Sequence, residues 1–87
     1  VRELKAAAQP ELDIRGMAVD EALPVLDNFL DAAYMGNLPK ARIIHGKGTG
    51  VLRAAVQDEL RRCKYVKSFR LGVYGEGESG VTIVEFK

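Results

Sequence analysis

His45-Gly46-Lys47-Gly48-Thr49-Gly50 places three glycines, a lysine, a hydroxyl and the chain's one histidine in six consecutive residues. That combination suits an anion. Glycines at 46, 48 and 50 let the backbone take positive φ and bring N–H groups close to an oxygen. Lys47 adds a positive charge and Thr49 a hydroxyl. His45, with a reference pKa of about 6.5, can be neutral near pH 7 and serve as a general base. Its glycine and lysine neighbours predict that it is not buried among apolar side chains. Two better-known readings of such a turn fail. A P-loop needs G-x-x-x-x-G-K-[ST], whereas the lysine here precedes the second glycine. A dinucleotide fingerprint needs a larger doubly wound sheet than this chain can build.

A second group lies upstream. Asp13 and Arg15 are two residues apart in the alternating segment Glu11-Leu12-Asp13-Ile14-Arg15. In a strand they share a face opposite Leu12 and Ile14. If Leu12 and Ile14 pack inward, Asp13 and Arg15 stand on the open face, at the strand end where α/β folds place their ligands, and hence near His45. A phosphodiester needs an anion cradle, a cation for the transition-state charge and a base for the attacking oxygen. Gly46 to Gly50, then Arg15 or Lys47, then His45 or Asp13 can supply these. A two-metal nuclease would want several clustered carboxylates, and only Asp13 is near the turn. The expectation is therefore chemistry with no obligatory protein-bound metal, with stimulation by Mg²⁺ or Mn²⁺ left open.

The elements that must position these residues follow from periodicity. Residues 1–10 are Ala-rich, end in Pro10, and read as a linker or the end of a preceding helix. The chain starts at Val1, which suggests a piece of a longer protein. Glu11 to Arg15 reads as a strand. From about Val19 to Met35, apolar residues at 19, 22, 23, 26, 29, 30 and 33 form a helical stripe. Asp20 and Glu21 suit its first turn, and Pro24 should kink it or delay its start. Gly36-Asn37 and Pro39 end it. Ala41 to His45 reads as a strand, Val51 to Cys63 as a helix, and Val66–Val73 and Val81–Phe86 as strands. The acidic, glycine-rich segment 74–80 joins the last two. The order β-α-β-α-β-β predicts an α/β two-layer sandwich, with a four-stranded mixed sheet and two helices on one face. Its two crossovers imply parallel pairing, with the last strand turning back antiparallel.

Composition limits the classes of function. Eighty-seven residues with 47% hydrophobic content suit one small domain. No apolar run is long enough for a membrane span, and no signal peptide is evident. One cysteine cannot form an internal disulfide, and one Cys with one His cannot hold a structural zinc. This fits a reducing, cytoplasmic setting, with Cys63 packed as a small hydrophobe. The net charge of +1 conceals an asymmetry. Glu11 to Asp31 holds six acidic residues and one basic one, whereas Lys40 to Arg70 holds nine basic and two acidic ones. Such a basic half suits a phosphate backbone, with Arg42 and Arg53 beside the turn as added contacts.

Leu12-Asp13-Ile14-Arg15-Gly16 followed by a helix, then Ile44 to Gly50, then Gly80-Val81-Thr82-Ile83-Val84, resembles the Smr (small MutS-related) domain. The likeness covers residues 11–87, and is greatest to the form at the C-terminus of the bacterial, recombination-suppressing MutS paralogue. The resemblance implies a fold similar to the C-terminal domain of a bacterial translation initiation factor. It implies a nicking endonuclease acting on DNA, structure-sensitive or non-specific, or on RNA in related proteins. It maps Asp13, Arg15 and His45 to cleavage, and Gly46, Lys47, Gly48, Thr49 and Gly50 to backbone binding. It further implies preceding ATPase domains, and action on branched DNA and on stalled, collided ribosomes. The alternative is a non-catalytic module that binds nucleic acid or the ribosome. Many family members have His where Arg15 stands. The family's paired glycines before the last strand are replaced here by Glu78-Ser79-Gly80, so Glu76 and Glu78 would repel phosphate.

Overall fold

The computed structural model describes residues 10–73, 75 and 78–87. The expected linker at 1–9, and Tyr74, Glu76 and Gly77 of the acidic loop, lie outside the described residues. The elements are β1 (Glu11–Asp13), α1 (Val19–Met35), β2 (Lys40–Ile44), α2 (Val51–Arg62), β3 (Val66–Leu71), a 3₁₀ turn (Glu78–Gly80) and β4 (Val81–Phe86). This is the β-α-β-α-β-β order read from periodicity, with each strand and helix within about two residues of its expected bounds.

The apolar stripe of α1 buries Ala22, Leu26, Leu30 and Ala33, and α2 buries Val56 and Leu60. These meet Ile14, Ala41, Ile43, Val84 and Phe86 from one face of the sheet in a single core. Cys63 packs half-buried against it. The first turn of α1 is closed by its own acid, since the Glu21 carboxylate accepts a hydrogen bond from the Ala18 N–H at 3.3 Å. Pro24 neither delays the helix nor ends it. At the other end Asn37, not Gly36, takes the left-handed conformation, with φ +60°.

The sheet order is β1-β2-β4-β3. The first crossover gives the expected parallel neighbours, with Asp13 opposite Ile44. The second does not. β4 enters between β2 and β3 and pairs antiparallel with both. Its residues Val81, Thr82, Ile83, Val84 and Phe86 are all buried, so a central place suits it better than an edge. The sheet face away from the core presents Lys40, Arg42, Arg70 and Glu85 around Ile83, which is 4% exposed. Among the described residues no helix is long and apolar enough to cross a membrane.

Between the helices, Asp27 of α1 is hydrogen-bonded to Glu59 of α2. Partial desolvation, then the hydrogen bond and charge of Glu59, raise the Asp27 pKa to about 6. Glu59 is lowered by the bond from Asp27 and by its pairing with Arg62. A raised folded-state pKa stabilises below the unfolded value of 3.8, and that contribution is lost as pH rises towards 6. Asp27→Asn keeps a donor for Glu59 and carries no charge. Its melting temperature at pH 7 should exceed the parent's by a few degrees, with a flatter profile between pH 4 and 6, as thermal melts across that range would read.

Candidate nucleic-acid interface

The carboxyl ends of parallel neighbours β1 and β2 deliver two turns side by side, each feeding a helix. Gly16, Met17, Ala18 and Val19 come from the first turn, and His45 to Arg53 from the second. Between them is an open cleft of about 320 Å³. The two helix starts that border it differ. The α1 start carries Asp20 and Glu21 and is closed by Glu21, as above. The α2 start has no acidic residue and no side-chain cap. Its N-cap, Gly50, is left-handed at φ +87°, and the Val51 N–H reaches only the Thr49 hydroxyl, at 3.4 Å. Its first-turn N–H groups, which no intrahelical carbonyl can reach, therefore border the cleft, as an anion requires.

Arg53 folds back over this helix start. Its Nη2 lies 3.1 Å from where a Cβ on Gly50 would stand, so any side chain there meets both strained backbone and a guanidinium. Lys47, at the turn's tip, is 3.5 Å from the Glu78 carboxylate. The expected repulsive residue is thus seated on the turn's own lysine.

His45 departs from expectation. It is 5% exposed and lies on the helix-facing side of β2, in step with Ala41 and Ile43. Its Nδ1 is 2.9 Å from the Gly46 carbonyl and its Nε2 is 2.8 Å from the Thr82 hydroxyl. A carbonyl can only accept, so Nδ1 carries the proton and Nε2 accepts from Thr82. Burial lowers the imidazole pKa, the Gly46 carbonyl opposes this, and the charge of Arg53 lowers it further. The glycine neighbours misled because flanking residues report local backbone freedom, whereas burial here comes from β4, 37 positions away in sequence.

Asp13 and Arg15 form a closed pair at the end of β1. Arg15 donates from Nε to Oδ1 at 3.0 Å and from Nη2 to Oδ2 at 2.6 Å, and its backbone N–H also reaches Oδ1 at 3.1 Å. These bonds hold the Asp13 pKa at about 2 and raise that of Arg15. The pair sits on the far side of Gly46 from the imidazole. The Arg15 Cγ is 3.3 Å from where a Gly46 Cβ would stand, and Gly46 is itself left-handed at φ +82°. Among the described residues, no hydrogen bond joins His45 to Asp13 or Arg15. Gly46 is the part they share. Arg42 is elsewhere: it pairs with Glu11 at 3.0 Å on the helix-free face of the sheet and does not line the cleft. Strand alternation explains this, since Ala41 and Ile43 take the core-facing positions.

Sequence reasoning missed two residues that shape the turn. The Gly80 carbonyl accepts from both the His45 N–H, at 3.1 Å, and the Gly46 N–H, at 2.9 Å. Thr82 is fully buried and holds the imidazole. A lone hydroxyl residue within the apolar run Val81 to Val84 was the available signal for Thr82. Among the described residues, no three His, Cys, Asp or Glu side chains cluster as a metal site would need.

With this geometry in view, the comparisons decide the family. The Smr domain profile matches residues 12–87. The chain belongs to the Smr domain family. It is 59% identical over 78 residues to Endonuclease MutS2 of Lachnoclostridium phytofermentans, covering 90% of this chain and 10% of that protein. It is 53% identical over 85 residues to Endonuclease MutS2 of Caldanaerobacter subterraneus subsp. tengcongensis, covering 98% of this chain and 11% of that one. This Smr domain thus spans about a tenth of the length of those relatives. Among solved structures, the Smr domain of Thermus thermophilus MutS2 superposes with a TM-score of 0.87 at 46% identity, over 90% of this chain and 98% of that one. YdaL, a stand-alone small MutS-related protein from Escherichia coli, shares the fold at 24% identity with a TM-score of 0.86, over 97% of this chain and 71% of that one.

Thr82→Val removes the donor to the His45 Nε2 while keeping the side-chain shape. The buried nitrogen then lacks a partner, which should cost about 1–3 kcal/mol in urea unfolding. In the parent, the imidazole should titrate below 6.5 by NMR, with the proton on Nδ1. Stability should then fall as pH drops through and below that value, because the unfolded chain takes up the proton more readily.

Proposed function

We propose that this Smr domain grips a nucleic-acid backbone in the cleft at the start of α2 and nicks a DNA phosphodiester beside it. The uncapped, acid-free α2 start carries the reading: its free N–H groups meet Lys47 and Arg53 in one cleft, where a phosphate would gain from all of them. The endonuclease names of the MutS2 relatives support hydrolysis as the reaction. In this reading the turn from Gly46 to Gly50 cradles the phosphate, and Arg15 neutralises charge that builds on the phosphoryl oxygens. Asp13, ionised across the physiological range, orients the attacking water. His45 acts through Gly46, since its Nδ1–H holds the carbonyl whose peptide aims the turn. In the longer protein, we place the domain behind ATPase domains, with branched DNA as substrate, suppression of recombination as the outcome, and collided ribosomes as a second setting.

A second reading is a module that binds nucleic acid or the ribosome without cutting. It is favoured by the fact that both imidazole nitrogens and both Asp13 oxygens are already engaged within the protein.

Plasmid nicking by the parent, Asp13→Ala, His45→Ala and Lys47→Glu separates the two, run on DNA and RNA with Mg²⁺, with Mn²⁺ and with a chelator. The nuclease reading expects Asp13→Ala to slow nicking by about 10²-fold, and His45→Ala to slow it by loosening the turn that it holds. Equal rates for both variants and the parent would sink it. The binding reading expects no product under any metal condition. Both expect Lys47→Glu to weaken binding and flatten its salt dependence by about one unit of slope.

A further inference from the structure

We infer that Glu78 is a built-in competitor for the phosphate site, holding Lys47 until a nucleic-acid backbone displaces it. The inference rests on the cleft being that site, and adds what sets its affinity.

Three observations converge. The first is the contact: the Glu78 carboxylate lies 3.5 Å from the Lys47 Nζ, where a phosphate oxygen drawn to that lysine would also sit. The second is the backbone. Glu78 adopts φ +53°, a conformation in which side chains other than Gly, Asn and Asp are rare. Glycine would meet the turn's geometry without strain, so the position holds a carboxylate at a conformational cost. The third is the coupling of the two turns. Glu78 begins the 3₁₀ turn that ends at Gly80, and the Gly80 carbonyl accepts the N–H groups of both His45 and Gly46. A Cβ on Gly80 would meet the Lys47 Cγ at 3.5 Å and Gly46 backbone at 3.6 Å, so the two turns are packed together. The carboxylate is therefore delivered to the anion turn by the same bonds that shape it.

Both partners are largely solvated, Lys47 at 64% and Glu78 at 52% side-chain exposure. A pair of that kind is weak enough to be exchanged for a multiply charged backbone, yet it lowers the positive potential that draws the backbone in. Its consequence is selectivity. A single phosphate would displace the carboxylate at little gain, whereas a strand that also reaches Arg53 and the α2 start gains more than the exchange costs.

The test is fluorescence anisotropy with a fluorescein-labelled single-stranded oligodeoxynucleotide. It compares the parent, Glu78→Gln, Lys47→Ala and the double variant, at low salt and at raised salt. Glu78→Gln should bind about two- to fivefold tighter at low salt, with the gain shrinking as salt rises. In the Lys47→Ala background the same change should give no gain, because the lysine it frees is gone. Two results would overturn the inference while leaving the cleft in place. One is Lys47→Ala weakening binding while Glu78→Gln leaves it unchanged. The other is the same gain with and without Lys47, which marks a general charge effect. If Lys47→Ala binds as tightly as the parent, the cleft itself is not the phosphate site, and the inference falls with it.

Discussion

Two backbone N–H groups, those of His45 and Gly46, share one acceptor, the carbonyl of Gly80. Much else at this end of the molecule depends on that arrangement. It ties the turn after β2 to the entry of β4, so the position of this glycine turn is set by a strand late in the chain. Gly46, at φ +82°, takes a conformation open to glycine, and its neighbours fix which of its many accessible conformations it keeps. Here they do so from three sides: the Gly80 carbonyl accepts from the Gly46 N–H, the His45 Nδ1–H donates to the Gly46 carbonyl, and the Arg15 Cγ lies 3.3 Å from where a Cβ would stand.

This arrangement changes what the histidine does. A general base must present an unshared nitrogen to the substrate, and both nitrogens of His45 are committed within the fold. Its lowered pKa follows from the same burial that makes it structural. The chemistry-bearing side chains therefore divide by layer. The imidazole and Thr82 lie beneath the turn, and the Asp13–Arg15 pair lies beyond it on the helix-free side. Lys47 and Arg53 stand at the cleft with the α2 N–H groups. Gly46 is the mechanical link among them, and it has no side chain of its own.

The two helix starts show how similar local architecture is given opposite electrostatics. At α1 the first turn contains Asp20 and Glu21, and Glu21 turns back to bond the Ala18 N–H. At α2 the first turn contains Arg53 and no acid, and the N-cap is a glycine without a side chain to offer. Both helices point their positive ends at one cleft, but one is already neutralised. The α2 side is therefore the more positive of the two. The Asp27–Glu59 pair lies between the same two helices, where it bears on stability and not on the cleft.

The sequence by itself determined the elements, their order, most of the core-facing residues and the glycine-rich turn after β2. Each of these depends on spacing within a few residues: a period of 3.6 from Val19 to Met35, a period of 2 at Leu12 and Ile14, and clustered glycines from 46 to 50. The likeness to the Smr domain was legible for a similar reason, since its motifs are short and contiguous. Only the tertiary structure decided that β4 separates β2 from β3, that His45 is buried against Thr82, that Arg42 faces away from the cleft, and that Glu78 rests on Lys47. Each of these is a contact between residues 30 or more positions apart, or a consequence of which strand face turns inward. Local periodicity carries no information about such pairings. They arise when the chain buries its most apolar strand at the centre of the sheet, and everything attached to that strand moves with it.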